Sequence, residues 1–477
     1  MEMKAAEKVL NRVLKRITPT TERRKEILDL AEKVKSKIEK ELDKAGLEAR
    51  VRIEGSIAKD TWLTENPDID IFVQFPVNFP KKEFKTTFLE IAKKATKNAK
   101  HVERYAEHPY LEAIINSAVI NIVPCYKVKL GEWLSATDRT PYHTDYVKKH
   151  LTKQLSNQVR LLKKFMQGIG VYGAEIKIGG FSGYLCELLI LKYRGFLETL
   201  ENFSNWKGKL VIDLENHFEN QEDQLSMLFK EPLVVVDPVD KGRNVAAAVR
   251  KEHLYNFIAA SRAFIKNPNV KFFYPPEIKP LSKKEVREKI RKRETLLLFL
   301  KFSHVEAVPD ILWGQLYKSQ RALEKMFKQY GFNVIRSKAW SDEKTANMIF
   351  FEIEQGKLPQ IKKHLGPPLD KRAECEKFLL KHVSSSETFS GPYIEGERWV
   401  VDTKRKYTDA VRLLSEKLKS DGRKVGIGRL IAESIDKGFE ILVNEQIIGF
   451  YASNREFAKF LTRYLEGFPI WLRWALQ

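Results

Sequence analysis

Gly55-Ser56, followed a dozen residues later by Asp68-Ile69-Asp70, is the strongest chemical signal in the sequence. In a strand, residues two apart share a face, so Asp68 and Asp70 project together while Ile69, Ile71 and Val73 point the other way. Two carboxylates that close repel unless a cation neutralises them, and a hard divalent ion such as Mg²⁺ does so through oxygen ligands. Backbone N–H groups at Gly55-Ser56 and at the start of the following turn form a cradle for phosphate. Together these groups suit a nucleoside triphosphate carrying its metal. Taken alone, a DxD at a strand start is commonly a solvated edge; the glycine-serine turn ahead of it favours the metal reading.

Competing patterns fail their context. GIGVYG at 168–173 matches GxGxxG but follows a helical pattern rather than a strand, which excludes a dinucleotide turn. There is no HExxH and no Walker lysine loop, and the nine histidines form no spaced metal set. Cys125, Cys186 and Cys375 lie too far apart in sequence for a disulfide framework or a cysteine zinc site.

The elements that must position the carboxylates are legible. LEARVRIEG alternates like a strand and stops at Gly55-Ser56, a short helical turn follows, and DIDIFVQF is a second strand. A long helix from about Thr20 to Ala45, between Pro19 and Gly46, precedes them. KKEFKTTFLEIAKKATKNA is helical, and RYAEHPYLEAIINSAVINIVPCY reads as two strands turned at Asn116-Ser117. These make a mixed α/β unit over 1–145. Residues 146–270 are mostly helical, with VVVDPVDKGRNVAAAV an extended stretch leading into a helix. In 271–390, TLLLFLKF, the helix Ile311–Tyr330, FNVIRSKAWS and ANMIFFEIE run strand-helix-strand-strand, half of a ferredoxin-like or RNA-recognition-type fold. Residues 391–477, with a hairpin at GPYIEGERWVV, pack on that body. The expected class is a multidomain α+β protein.

At 477 residues, 43% hydrophobic and 31% charged, the chain is neither a small metal-stapled fold nor disordered. No apolar run approaches the roughly 18 residues of a membrane span, so a soluble cytoplasmic protein is expected. A net charge of +21 points to a polyanionic partner. LSKKEVREKIRKR, at 281–293, carries seven basic and two acidic residues, a pattern that is ordinarily a solvated helix face. Lys318, Arg321, Lys325 and Lys328, spaced by three and four, form a stripe suited to the phosphates of an RNA duplex, while Leu312, Leu316, Leu323 and Phe327 turn inward.

GSIAKDTWL with DIDIFVQF, then RYAEHPY, INIVPCYKV, DRTPYHTDYV, VRLLKKFMQGIGVYGAEIKIGGFSGYLCELLI and DPVDKGRNVAAAV, resemble the archaeal class I CCA-adding enzymes in register from about residue 50 to 250. WGQL, QYGF and SKAW extend the resemblance into the C-terminal half. That family comprises tRNA nucleotidyltransferases of the DNA polymerase β superfamily. The resemblance implies a polymerase-β-like palm, a helical central domain that reads the base, and α/β C-terminal domains that hold the tRNA acceptor stem and elbow. It also implies addition of CMP, CMP and AMP from CTP and ATP to the tRNA 3′ end without a template, Mg²⁺ as cofactor, and a homodimer. Carried over by motif position, Asp68 and Asp70 hold the metal, and Gly55, Ser56 and Lys59 contact the triphosphate. His143, Lys163 and Tyr172 line the nucleotide site, and Arg243 faces the base with its guanidinium fork.

One residue departs from the family. Its third carboxylate lies in the strand ending VPCY, at the position of Asn121, where it helps place the catalytic ion. A neutral amide there predicts weak ion binding and slow turnover, as in an Asp-to-Asn variant made to stop the reaction or a natural relative with altered chemistry. Glu107 is another acidic residue able to supply the missing ligand. A noncatalytic tRNA-binding relative and a poly(A)-polymerase-like terminal transferase are the alternatives.

Overall fold

Thr20 begins the first long helix that the sheet packs against: its side chain accepts a hydrogen bond from the Arg23 amide at 3.1 Å, an N-cap. The computed structural model describes residues 2–65, 67–105, 107–116, 118–421 and 424–475. The chain divides into two units, 1–277 with 468–477, and 278–467.

In the first unit, α1 (Glu2–Ile17) is followed by α2 (Thr21–Lys44), whose Ile27, Ala31, Val34, Ile38 and Leu42 recur at helical spacing and are buried. A five-stranded sheet comes next: β1 (Arg50–Glu54), β2 (Asp68–Phe75), β3 (Lys100–Tyr105), β4 (Pro109–Ile115) and β5 (Ala118–Tyr126), in the order β1-β2-β5-β4-β3. Asn116, at φ 47, ends β4; Ser117, the second residue expected in that turn, lies outside the described residues. α3 (Gly55–Ala58) links β1 to β2, and α4 (Thr87–Ala95) follows β2. Ile69, Ile71 and Val73 pack beneath the sheet with α2 and α4, which leaves Asp68 and Asp70 on the opposite face.

β2 and β5 run parallel, with Asp70 opposite Asn121, and β4 runs antiparallel to β5, with Glu112 opposite Asn121. Residues opposite one another on paired strands share a face, so one row across three strands reads Asp70, Asn121, Glu112.

α5 (Thr140–His150), α6 (Lys153–Gly168), α7 (Gly183–Tyr193) and α8 (Phe196–Ser204) continue the unit, with α9 (Glu222–Leu228) and α10 (Lys251–Lys266) beyond. The segment expected to be mostly helical also contains a three-stranded sheet, β6 (Leu210–Ile212), β7 (Leu233–Asp237) and β8 (Asp240–Asn244). All five residues of β7 are buried, so no alternation marks it in the sequence. Trp471 and Trp474 pack into the helical core, and the Trp471 indole donates to Asn256 Oδ1 at 2.8 Å.

The second unit contains α11 (Lys283–Arg291), β9 (Leu296–Ser303), α12 (Pro309–Gln329), β10 (Val334–Ser341) and β11 (Ala346–Ile353). It continues with β12 (Ile361–Pro368), β13 (Thr388–Glu395), β14 (Arg398–Lys404) and β15 (Phe439–Val443). β10-β11-β9-β15 form one sheet and β12-β14-β13 another, so the strand-helix-strand-strand order is present with an added edge strand. The boundary expected after residue 390 falls inside β13, which is hydrogen-bonded through β14 to β12. Among the described residues no helix is long and apolar enough to cross a membrane.

Candidate active site

Asp70 lies against the turn that precedes it. A Cβ on Gly55, whose φ is +67, would sit 2.0 Å from Asp70 Oδ2, so only glycine admits both the turn and the carboxylate. Asn121 Nδ2 donates to Asp70 Oδ1 at 3.0 Å. Burial, opposed by that hydrogen bond and reinforced by the charge of Asp68, pushes the Asp70 carboxyl up to about 6. Asp68 is raised as well, first by its crowded surroundings and then by the charge of Glu112. Repelling carboxylates on one face, one of them packed onto a glycine turn, fit a hard divalent cation by donor chemistry: Asp68 and Asp70 are the residues that would hold it.

Two buried carboxylates absent from the sequence expectation organise the remaining site residues. The first is Glu187 of α7, which meets Lys59 Nζ at 2.5 Å and Lys163 Nζ at 3.4 Å and accepts from Thr61 Oγ1 at 2.6 Å. Lys163 also donates to Thr61 Oγ1 at 3.1 Å. Burial opposes ionisation of Glu187, but the two ammonium groups outweigh it and hold the carboxyl below its ordinary range. Burial pushes Lys163 down, against the attraction of Glu187. The Tyr172 hydroxyl and the Lys163 side chain both lie against Gly183, which brings Tyr172 to this cluster.

The second is Asp237, at the end of β7 and without solvent exposure. Its Oδ2 shares a 2.9 Å hydrogen bond with His143 Nε2 and accepts from Arg243 NH1 at 2.6 Å, while Oδ1 accepts from the Tyr184 hydroxyl at 3.1 Å. Burial lowers the His143 pKa, against the pull of Asp237. Tyr184 joins the two clusters: its ring stacks on His143 with centroids 4.1 Å apart, and Lys59 Nζ lies 5.7 Å from the same ring centre. A lone carboxylate inside the apolar run LCELLILKY was a legible sign of Glu187; Asp237, in VVVDP, had no comparable signal.

The structure thus brings Asp68, Asp70, Asn121, Gly55, Lys59, His143, Lys163, Tyr172 and Arg243 into one neighbourhood, with Ser56 in the turn beside Gly55. Glu107 is engaged elsewhere, accepting from the Ala136 amide. Lys318, Arg321 and Lys325 belong to the second unit, exposed on α12 above buried Leu312, Leu316, Leu323 and Phe327. The basic run at 281–293 is partly tied down: Arg291 pairs with Glu445 at 2.5 Å and Arg293 with Glu352 at 2.9 Å.

A sheet that presents paired carboxylates beside buried lysines is the arrangement of a nucleotidyltransferase, and the comparisons with known proteins assign that class. Residues 35–151 match the nucleotidyltransferase domain, 157–274 the tRNA nucleotidyltransferase second domain, and 293–444 the CCA-adding enzyme C-terminal domain. The CCA-adding enzyme of Methanosarcina barkeri is 38% identical over 438 residues, 91% of this chain and 93% of that protein. The enzyme of Methanosarcina mazei is 37% identical over 456 residues, 95% and 97% of the two chains. That of Methanothermobacter thermautotrophicus is 33% identical over 457 residues, again 95% and 97%. Among solved structures, a cytoplasmic RNA terminal U-transferase superposes with a TM-score of 0.44 at 13% identity, over 58% of this chain and 100% of that one. The chain belongs to the CCA-adding enzyme family. Nucleotidyltransferases of this kind generally use divalent metal ions.

Proposed function

We propose that this chain adds CMP, CMP and AMP in turn to the 3′ end of tRNA, from CTP and ATP and without a nucleic-acid template. Mg²⁺ is the proposed ion, held by Asp68 and Asp70. The observation that carries this reading is that the Asp68–Asp70 face stands in the field of Lys59 and Lys163, whose cluster is joined through Tyr184 to the His143–Asp237–Arg243 cluster. Bound there, the ion supplies charge neutralisation for the triphosphate and lowers the pKa of the attacking hydroxyl.

The protein's own groups divide the remaining work. Lys59 and Lys163 share one carboxylate, Glu187, so the cluster keeps a net positive charge that attracts a polyphosphate. Gly55 and Ser56 offer backbone N–H groups to it. Asp237 holds His143 and fixes Arg243 by one of its five donors, leaving other donors of the planar fork for the edge of C or A. Tyr172 lies beside Lys163 at the same site. Asn121 holds the Asp70 rotamer but brings no negative charge, so removal of the proton from the attacking hydroxyl is the weakened step. In the second unit, Lys318, Arg321 and Lys325 contact the tRNA backbone. The assembly is a homodimer, a state that light scattering reads directly.

Incorporation of labelled CTP and ATP into tRNA ending before CCA, by this chain and by Asn121→Asp, tests the proposal. Three additions that then stop, faster with Asn121→Asp, are expected. Long homopolymeric products would favour a poly(A)-polymerase-like transferase. Asn121 is the one observation that favours a noncatalytic tRNA-binding relative, and tRNA binding without addition by either chain would establish that reading.

A further inference from the structure

We propose that Glu112 supplies, from the neighbouring strand, the third carboxylate that position 121 lacks. The inference rests on the nucleotidyltransferase reading of the Asp68–Asp70 face and concerns which residue completes it. Glu112 stands directly opposite Asn121 in the β4–β5 pair, and Asn121 directly opposite Asp70 in the β2–β5 pair. All three therefore project from one face of adjacent strands, on the side that carries Asp68. A carboxylate moved from 121 to 112 shifts by one strand spacing, about 4.8 Å, and glutamate is one methylene longer than the aspartate it replaces. Glu112 and Asp68 are close enough to repel, which places the Glu112 charge within the site's own field.

The partner that Glu112 has in the structure is one it can release. Arg104 Nε meets Glu112 Oε2, and Arg104 NH2 meets Oε1, both at 3.2 Å, at the long end for a charge-assisted bond and partly exposed. The pair is two-pronged, so what displaces Arg104 must offer Glu112 a stronger charge, which a divalent ion does. Among the described residues no group of three or more carboxylates, histidines or cysteines is already gathered as a cage, so Glu112 reaches an ion only by exchanging Arg104 for it. Glu107 is excluded from this role because it precedes β4 and caps the amide of Ala136. Asn121 complements the arrangement: its amide donates to Asp70 where a carboxylate would repel it, and the missing negative charge stands one strand away.

Mn²⁺ binding in the presence of a non-hydrolysable ATP analogue, followed by electron paramagnetic resonance, tests this independently of turnover. The chain as it stands, Glu112→Gln, Asn121→Asp and the double variant are compared. Glu112→Gln is expected to weaken Mn²⁺ binding by about 10-fold or more in the first background, and by only a small fraction of that loss once Asn121→Asp supplies the charge. Arg104→Gln, which frees Glu112, is expected to leave Mn²⁺ binding intact or tighter. Equal losses from Glu112→Gln in both backgrounds, or the same loss from Arg104→Gln, would show a structural ion pair and overturn the proposal. If the Mn²⁺ pattern holds while no variant adds nucleotides to tRNA, the assignment of Glu112 stands and the proposed function falls; addition without any Glu112 dependence does the reverse.

Discussion

The cations around the carboxylate face and the cations along α12 are built on different terms. Lys59 and Lys163 are nearly buried, at 7% and 4% side-chain exposure, and both are tied to Glu187; Arg243 is tied to Asp237. Lys318, Arg321 and Lys325 stand in solvent on a helix whose other side is core, and they form no ion pair among the described residues. Lys328, also exposed, pairs only along its own helix, with Glu324 at 2.8 Å. Buried charges need fixed partners because desolvation is costly, and those partners also fix geometry. Exposed charges need none, and they bind through a field that salt screens. The first arrangement suits a small ligand read atom by atom, the second a long polyanion read by its backbone.

The largest effect expected at the carboxylate face is at position 121. In the Glu112→Gln background, where no neighbouring carboxylate compensates, Asn121→Asp should speed single-turnover CMP and AMP addition by about 1000-fold, or ~4 kcal/mol of transition-state stabilisation. Equal rates would mean that Asp68 and Asp70 suffice.

Glu187→Gln comes next, because it strands two buried ammonium groups. Breaking a buried pair in this way costs about 3 to 5 kcal/mol, which urea denaturation would read. The pH dependence follows from the lowered carboxyl. A depressed native pKa contributes stability that is fully present above the unfolded value, about 4.3, and lost as pH falls through the native value. The urea midpoint should therefore drop on acidification below about pH 4, and that part of the drop should vanish in Glu187→Gln. An unchanged midpoint at neutral pH would show that the lysines find other partners.

Arg243→Ala is expected to relax the preference for CTP and ATP over GTP and UTP by about 1 to 3 kcal/mol, the range of a bidentate base contact. Competition binding with the four triphosphates measures this, and unaltered preference would remove Arg243 from base reading. The smallest effects belong to α12: reversing Lys318, Arg321 and Lys325 to Glu should flatten the salt dependence of tRNA binding. Each lost phosphate contact changes the log–log slope by about 0.7 to 0.9. If the triphosphate affinity changed as much as the tRNA affinity, the contrast between the two regions would break.

The frame of the site is legible in the sequence. Alternation in DIDIFVQF placed Asp68 and Asp70 on one face, and the buried Ile69, Ile71 and Val73 bear this out. The basic stripe of α12 over Leu312, Leu316, Leu323 and Phe327 was equally plain, since a helix repeats every 3.6 residues whatever it packs against. The small sheet from Leu210 to Asn244 was not, because three short strands with a fully buried centre carry neither helical nor alternating period.

By itself the sequence determined what local rules decide: residue identity, the faces of strands and helices, the turn at Gly55 and the departure at Asn121. Only the tertiary structure decided which charges meet. Glu187 is 128 residues from Lys59, and Asp237 is 94 from His143. The pairing of Glu112 with Asn121, by contrast, is local, because only two residues separate the paired Ile115 and Ala118 and so set that register; the tertiary structure added the pairing of Asn121 with Asp70, 51 residues away. Pairing across such separations is selected by the packing of whole layers and by the cost of burying an unpartnered charge, and neither is a property of any short stretch of chain.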